Sequence, residues 1–429
     1  MYDFLLQTSE RVIQIKQNYI RRCLSIMNIL WGIGGIFVIL ALGFIFSSAR
    51  SSVKWRTIIA GLSVQLIFAF IVLKWEAGRD ALMFVSEAVQ NLISYANEGI
   101  VFVFGGLADA NNVGFVFAIN VLTVIIFFSA LISVLYYLGI MQIIIKFIGG
   151  FLSKVLGTSQ AESVNAAANI FVGQTEAPLV IRPFLAKMTK SELFAVMTGG
   201  LASVSGSVLV GYSLLGVPLE YLIAASFMAA PAGLVMAKLL MPETEEVDST
   251  NFKMEKDTQS ANVIDAAARG AGDGMQLAMN VGAMLLAFIA LIALLNGILG
   301  FATGIFGLEG VTIEKLLGFV FAPIAFIVGV PWEEAVKAGS FIGQKLVLNE
   351  FVAYTNFAPE IPNLTDKTAM IISFALCGFA NLSSMAILIG GLGSMAPERR
   401  PVIAKLAFKA VIAGTLASLL SAAIAGMFV

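Results

Sequence analysis

The chain has 429 residues, of which 59% are hydrophobic and only 12% charged, with a mean hydropathy of +0.92. That much apolar surface exceeds what a soluble core needs, and a net charge of −1 points to no nucleic-acid partner. Histidine is absent and the two cysteines, Cys23 and Cys377, stand alone, which leaves no imidazole relay, zinc spacing or redox pair.

The first stretch, "MYDFLLQTSERVIQIKQNYIRR", is too mixed in charge for a cleaved signal peptide and reads as an amphipathic helix lying on the membrane surface. Eight windows then approach the roughly 20 residues that cross a bilayer core: 29–48, 57–74, 115–138, 190–215, 219–240, 274–300, 368–393 and 402–428. Arg50, Lys54 and Arg56 follow the first span, and Arg399 and Arg400 precede the last. Both places read as cytoplasmic, which sets both termini outside, although Arg21 and Arg22 pull the other way. Between spans five and six, "PETEEVDSTNFKMEKDTQSAN" (242–262) is a hydrophilic connector.

Two segments fit neither class. Residues 159–187 contain "SQAESVNAAANIFVGQTEAPL", and residues 331–358 contain "PWEEAVKAGSFIGQKLVLNEFVAY". Each is long enough to enter the bilayer and too polar to span it. Polar or non-helical backbone at membrane depth is tolerated only inside protein or beside a watery cavity. Both therefore read as re-entrant hairpins whose tips expose unpaired helix-end amides and carbonyls.

The hairpins belong to an internal repeat. "GLASVSGS" (200–207) follows the first and "GFANLSSM" (378–385) the second, aligning Gly200 with Gly378 and Ser203 with Asn381. Glu176 precedes Ser203 by 27 residues and Glu350 precedes Asn381 by 31; Glu162 and Glu334 stand 14 and 16 residues before those carboxylates. Close packing of small residues explains the glycines and alanines, but not polar runs and glutamates recurring in one order. A carboxylate at a helix centre costs about 3 kcal/mol on insertion scales, so two at matching tips suggest a polar visitor. The competing reading pairs Arg182 with Glu176 and Lys345 with Glu350 as structural ion pairs.

Other features read blandly. Arg269 and Asp273, four apart, form a local helix pair. "PERR" (397–400) is a turn, and the "GGLGS" run near Gly390 serves helix packing, since no strand precedes it and no Lys-Ser/Thr pair follows.

At the hairpins the sequence resembles the concentrative nucleoside transporter family. It carries "GQKLVLNEFVAY" (343–354) where the family has G-x-K-x3-N-E-F-V-A, "GQTEAPL" (173–179), the run Ser203–Val208, and the F-x-N-x-x-S pattern at Phe379, Asn381 and Ser384. The resemblance implies an all-α polytopic membrane protein, with about eight transmembrane helices, two re-entrant hairpins, interfacial helices and an inverted repeat. It implies a homotrimer in the cytoplasmic membrane. Residues 1–140 and 263–310 would form a scaffold, and 141–241 and 311–429 two transport repeats that move as an elevator, joined through the connector 242–262. Gln174, Thr175 and Glu176 would face the nucleobase, with Gly173 allowing close backbone approach and Val208 and Phe379 as apolar contacts. Glu350, Asn381 and Ser384 would hold the ribose of a nucleoside such as uridine. Sodium, with no organic cofactor, would be held by the side chains of Asn169 and Ser203 and the carbonyls of Val172 and Val204.

The residue chemistry agrees. Amide, hydroxyl and carboxylate together suit a nucleobase edge, and a carboxylate accepts from vicinal ribose hydroxyls. Proton coupling through Glu176 or Glu350 is the alternative to sodium. An intramembrane enzyme using the two glutamates lacks a nucleophile or metal partner, and a passive channel would favour rings of one residue type.

Overall fold

A computed structural model describes residues 26–109, 113–247, 260–308 and 310–429. The expected surface helix at the N-terminus, Cys23 and most of the connector lie outside the described residues. Within them every regular element is a helix, and seven helices are long and apolar enough to cross a membrane, or eight if one bent pair counts as a span.

In chain order these are α1 (Ile26–Ile45), α2 (Trp55–Ala69), α3 (Glu76–Phe104), α4 (Phe117–Tyr137) and α5 (Ile140–Leu156). The first hairpin follows: α6 (Gln160–Ala168), a tip, and a return through the turns Ala177–Ile181 and Arg182–Leu185. Next come α7 (Lys190–Ala202), α8 (Gly206–Leu214), α9 (Leu219–Leu240) and α10 (Val263–Gly304). The second half holds α11 (Ile313–Ile327), α12 (Trp332–Val347), α13 (Glu350–Phe357), α14 (Asp366–Leu376), α15 (Ser384–Met395) and α16 (Arg400–Ala425).

The element order repeats: α5 to α9 in one half, α11 to α16 in the other, each with a hairpin followed by a broken helix and a long one. The expected span over 190–215 is interrupted at 203–205. The expected span over 368–393 is not one helix but two, α14 and α15, because the backbone between them is bonded elsewhere. Phe379 N–H donates to the Ser203 carbonyl (3.1 Å) and Leu382 N–H to that of Leu346 (3.1 Å) instead of to residues four back. Sequence reading had also passed over α3, α5 and α11. Charges at Glu76, Arg79, Asp80, Lys146 and Lys154 lower the mean hydropathy of α3 and α5. α11 is apolar but short, and folds back on α12 at 115°. That close approach needs Gly318 and Gly339, where an added Cβ would stand 2.6 Å from backbone atoms of Val336 and Ala322.

Burial separates a centre from a periphery. The apolar windows of α7–α8 and α9 are each 94% buried, whereas that of α10 is 6% buried. α7, α9 and α16 pack on one another, and α10 packs along α4.

Caps fix the hairpin bases. Ser159 and Glu162 form a reciprocal capping box at the start of α6, and Thr189 and Glu192 another at the start of α7. Lys238, near the end of α9, closes the same corner: its Nζ lies 2.7 Å from Glu162 Oε2 and 3.0 Å from Ser191 Oγ. At the matching place in the second half Glu334 accepts from the N–H and hydroxyl of Thr365 (2.9 and 2.8 Å) and from Thr368, so it caps α14 without an ion pair among the described residues. Breaking a buried pair by removing one charge costs about 3–5 kcal/mol. Lys238→Met should therefore lower thermal stability in detergent by that order, and Glu162→Gln added to it should recover part of the loss; an unchanged melting temperature would show the pair to be dispensable.

Candidate functional site

The site forms where the two helix breaks cross. Ser203 caps the end of α7 in extended conformation (φ −115°, ψ 173°), and its carbonyl takes the Phe379 N–H from the other break. Each hairpin tip then bonds to the break of its own half: Gly206 N–H donates to the Phe171 carbonyl (2.9 Å), and Leu382 N–H to that of Leu346. Gly378 permits the crossing, because a Cβ there would lie 2.9 Å from the Ala202 carbonyl oxygen and 2.7 Å from Ser418 Oγ.

At the first tip, Gly173 N–H donates to the Glu176 carboxylate, and a Cβ on Gly173 would meet Glu176 Oε2 at 2.8 Å. Gln174 is buried against Gly200, with Oε1 unpartnered. Thr175 packs on Gly391 of α15, where a Cβ would be 2.8 Å from its methyl. The glycine run near Gly390 thus serves close packing, between the two halves. Val208, in the first turn of α8, is fully buried.

At the second tip, Asn349 caps α13 by accepting from Val352 N–H (2.9 Å), and Glu350 is the first residue of that helix, where the dipole favours its charge. Tyr212 donates its hydroxyl to Glu350 Oε1 (3.2 Å), and Asn381 donates Nδ2 to Oε2 (3.0 Å). Asn381 Oδ1 in turn accepts from Ser383 Oγ (2.7 Å) and Ser384 N–H (2.8 Å). Phe379 is partly buried between the breaks.

Asn169, Val172, Ser203 and Val204 supply oxygens and no formal charge. Asn169 Nδ2 donates to the Asn165 carbonyl (3.0 Å), which leaves Oδ1 buried and unpartnered. Ser203 Oγ donates to the Gly199 carbonyl (3.0 Å) and keeps its lone pairs. Among the backbone hydrogen bonds of the described residues, none ends on the carbonyls of Val172 or Val204. Asn169 and Ser203 both address α7 at Gly199, where an added Cβ would be 3.4 Å from Asn169 Nδ2. Amide, hydroxyl and broken-helix carbonyls are the ligands that suit a small hard cation, so these residues fit sodium.

The two glutamates do not share one hollow. A cavity of about 240 Å³ is lined by Glu176 and Val172 together with Tyr136, Arg182, Arg269 and Asp273. It lies between the first hairpin, α4 and α10. Glu350 does not line it, being only 5% exposed and closed in by Tyr212 and Asn381. Nor do the structural ion pairs form. Arg182 and Glu176 face the same cavity without closing to 4 Å, and Lys345 turns to the Ala375 carbonyl. Arg269 and Asp273 face the cavity rather than acting only on their own helix.

Tyr212 escaped sequence reading. It stacks on Tyr354 (centroids 4.3 Å apart, 30° between planes), whose hydroxyl donates to the Ser373 carbonyl (2.7 Å). Its signal was spacing: it follows Val208 by four residues, one helical turn, and so shares a face with it.

Seven helices of the described residues are long and apolar enough to cross a membrane, and half-helix ends and unpaired polar atoms are buried at their centre, the arrangement of a multi-pass membrane transporter. Residues 34–107 match the family model for the Na+ dependent nucleoside transporter N-terminus, 118–218 one described as Gate, nucleoside recognition, and 221–426 the Na+ dependent nucleoside transporter C-terminus. The chain belongs to the concentrative nucleoside transporter family. It is 63% identical to the uncharacterized transporter YutK of Bacillus subtilis strain 168, over 94% of this chain and all of that protein. It is 49% identical to the nucleoside permease NupC of Helicobacter pylori, over 94% and 99% of the two chains. The structure of CNTnw in an inward-facing substrate-bound state superposes with a TM-score of 0.89 at 54% identity, covering 94% of this chain and 98% of that one. A substituted CNTnw in an outward-facing state gives 0.91 at 53%, covering 94% and 99%.

A buried acceptor stripped of its donor costs about 1–3 kcal/mol. Tyr212→Phe, which keeps the ring stack and removes only the hydroxyl, should lower thermal stability by that order. A melting temperature equal to the wild type's would show the Glu350 contact to contribute nothing.

Proposed function

We propose that the chain is a sodium-coupled symporter that imports nucleosides by an elevator movement. The observation that carries this reading is the crossing of two broken helices beneath two hairpin tips, where Asn169 Oδ1 and Gln174 Oε1 are buried without partners among the described residues. Buried polar groups without partners are costly, and a polar solute and a cation would satisfy them.

In this reading Gln174, Thr175 and Glu176 address the nucleobase edge, Gly173 giving the close turn that places the carboxylate. Val208 and Phe379 cover its faces. Glu350, Asn381 and Ser384 take the ribose, whose hydroxyls would replace the donors now held by Tyr212 and Asn381. Asn169, Ser203 and the Val172 and Val204 carbonyls hold sodium, whose gradient supplies the free energy for accumulation. Asn169 and Val172 share the first hairpin tip with the base-facing Gln174, Thr175 and Glu176, and Ser203 and Val204 stand at the break that this tip bonds to, so filling one site orders the other.

The two re-entrant hairpins with α7, α8, α9 and α14 to α16 would move as one body (141–241 and 311–429) against a scaffold built on residues 1–140 and 263–310. The packing of α4 along α10, and the cavity between them and the first hairpin, support that division. Structures of CNTnw in inward-facing, intermediate and outward-facing states support movement. A homotrimer would cover apolar surface such as Leu286 and Phe301 of α10, 76% and 77% exposed. A proton-coupled mode has one observation in its favour: Glu176 opens on the cavity with no basic group of the described residues within 4 Å.

Uridine uptake into proteoliposomes separates these readings. An inward sodium gradient should drive accumulation, and Asn169→Ala should raise the sodium needed for half-maximal uptake. Accumulation under a proton gradient alone would favour the second mode, and none under either gradient would defeat symport. Glu350→Gln removes charge-assisted bonds worth about 1.5–3 kcal/mol, so nucleosides should weaken roughly 10- to 150-fold while free nucleobases change little; equal losses would contradict the ribose role.

A further inference from the structure

Lys345 is a buried ammonium that the mechanism above leaves unused. It is 2% exposed, and its Nζ donates to the Ala375 carbonyl (2.7 Å) and the Ser418 hydroxyl (3.1 Å). No carboxylate of the described residues lies within 4 Å of it; the ion pairs formed there use Lys238 and Lys337. A buried lysine is normally tolerated through a charge partner. This one is held by neutral oxygens alone, one of them a carbonyl in the last turn of the half-helix α14, where carbonyls lack intrahelical donors and the dipole is negative. Those are the ligands an alkali cation takes at a broken helix.

Its position repeats that of Asn169. Asn169 caps the end of the first hairpin's inward helix and Lys345 lies in the last turn of the second's. They stand two and one residues before Phe171 and Leu346, the tip residues whose carbonyls take the amide of the neighbouring break. The aligned glycines border the two places, Gly200 beside Asn169 and Gly378 beside the hydroxyl that holds Lys345. A Cβ on Gly200 would be 3.7 Å from Asn169 Oδ1, and one on Gly378 would be 2.7 Å from Ser418 Oγ. One half thus presents buried oxygens with no cation of the protein's own, and the other presents oxygens already holding one.

We propose that Lys345 is a tethered cation: its ammonium occupies, in the second repeat, the counterpart of the position assigned to sodium in the first. Each chain then carries one fixed and one exchangeable cation. This rests on the sodium reading above. It makes Lys345 a positioning residue that holds α12, α14 and α16 together at the break, and that limits coupling to one exchangeable ion.

The test replaces Lys345 and follows sodium binding by thermal unfolding of the detergent-solubilised full chain, with choline maintaining ionic strength. Wild-type stability should rise with the logarithm of sodium concentration at a limiting slope of about one ion per chain. Lys345→Gln, which removes the charge and supplies an amide oxygen, should steepen that toward about two and be recovered better in sodium than in choline. Lys345→Met, which fills the space without an oxygen, should be destabilised alike in every salt. Unchanged steepness in Lys345→Gln, or no rescue of it at any sodium concentration, overturns the proposal; so does a Lys345→Met variant as stable as wild type, since the place would then need no cation. A wild type blind to sodium defeats the sodium reading, and this proposal with it.

Discussion

The hydrogen bond from Phe379 N–H to the Ser203 carbonyl is the constraint on which the interior depends. Unwound backbone in an apolar interior must find partners or cost several kcal/mol per group. This chain meets that demand by crossing two breaks and laying a hairpin tip against each. Every such bond diverts an amide from its own helix. The price is a set of carbonyls, at Val172 and Val204 among them, that no longer have one. The binding chemistry is what remains after the backbone has satisfied itself.

The two halves share this geometry but not its charges. At the hairpin bases one half uses the Glu162–Lys238 pair and the other uses Glu334 on threonine hydroxyls. At the tips, the Glu176 carboxylate bends back on Gly173 and faces a cavity, while that of Glu350 is enclosed by Tyr212 and Asn381. A duplicated fold supplies two equivalent frames, and single side chains then give each a different task.

The hairpins were legible because glutamates and amides in so apolar a chain demand an explanation, and their recurrence in order marked the repeat. The break at 377–383 was not legible. Its flanks are as apolar as any span, and what unwinds it is a partner more than 170 residues away at Ser203. Tyr212 was missed because a tyrosine in an apolar helix reads as core until the carboxylate it serves is located in space. The separation of the two glutamates depends on which surfaces happen to face one hollow, and spacing along the chain carries no such information. Of the family's signature residues, Ser203 and Phe379 meet at the crossing because their motifs are the breaks themselves, whereas Glu176 and Glu350 of the hairpin motifs have different surroundings.

The length of α10 has a consequence for the surrounding lipid. Even after its charged first turns, the 31 residues of 274–304 extend roughly 45 Å at 1.5 Å per residue, against about 30 Å of hydrocarbon. A strut that overshoots the bilayer must lean within it or protrude from it, and mismatch of this kind is relieved chiefly by tilt. Because α4 lies along this strut, a change in membrane thickness alters the slope of one wall of the Glu176 cavity. Acyl-chain length should thereby bear on the shape of that cavity.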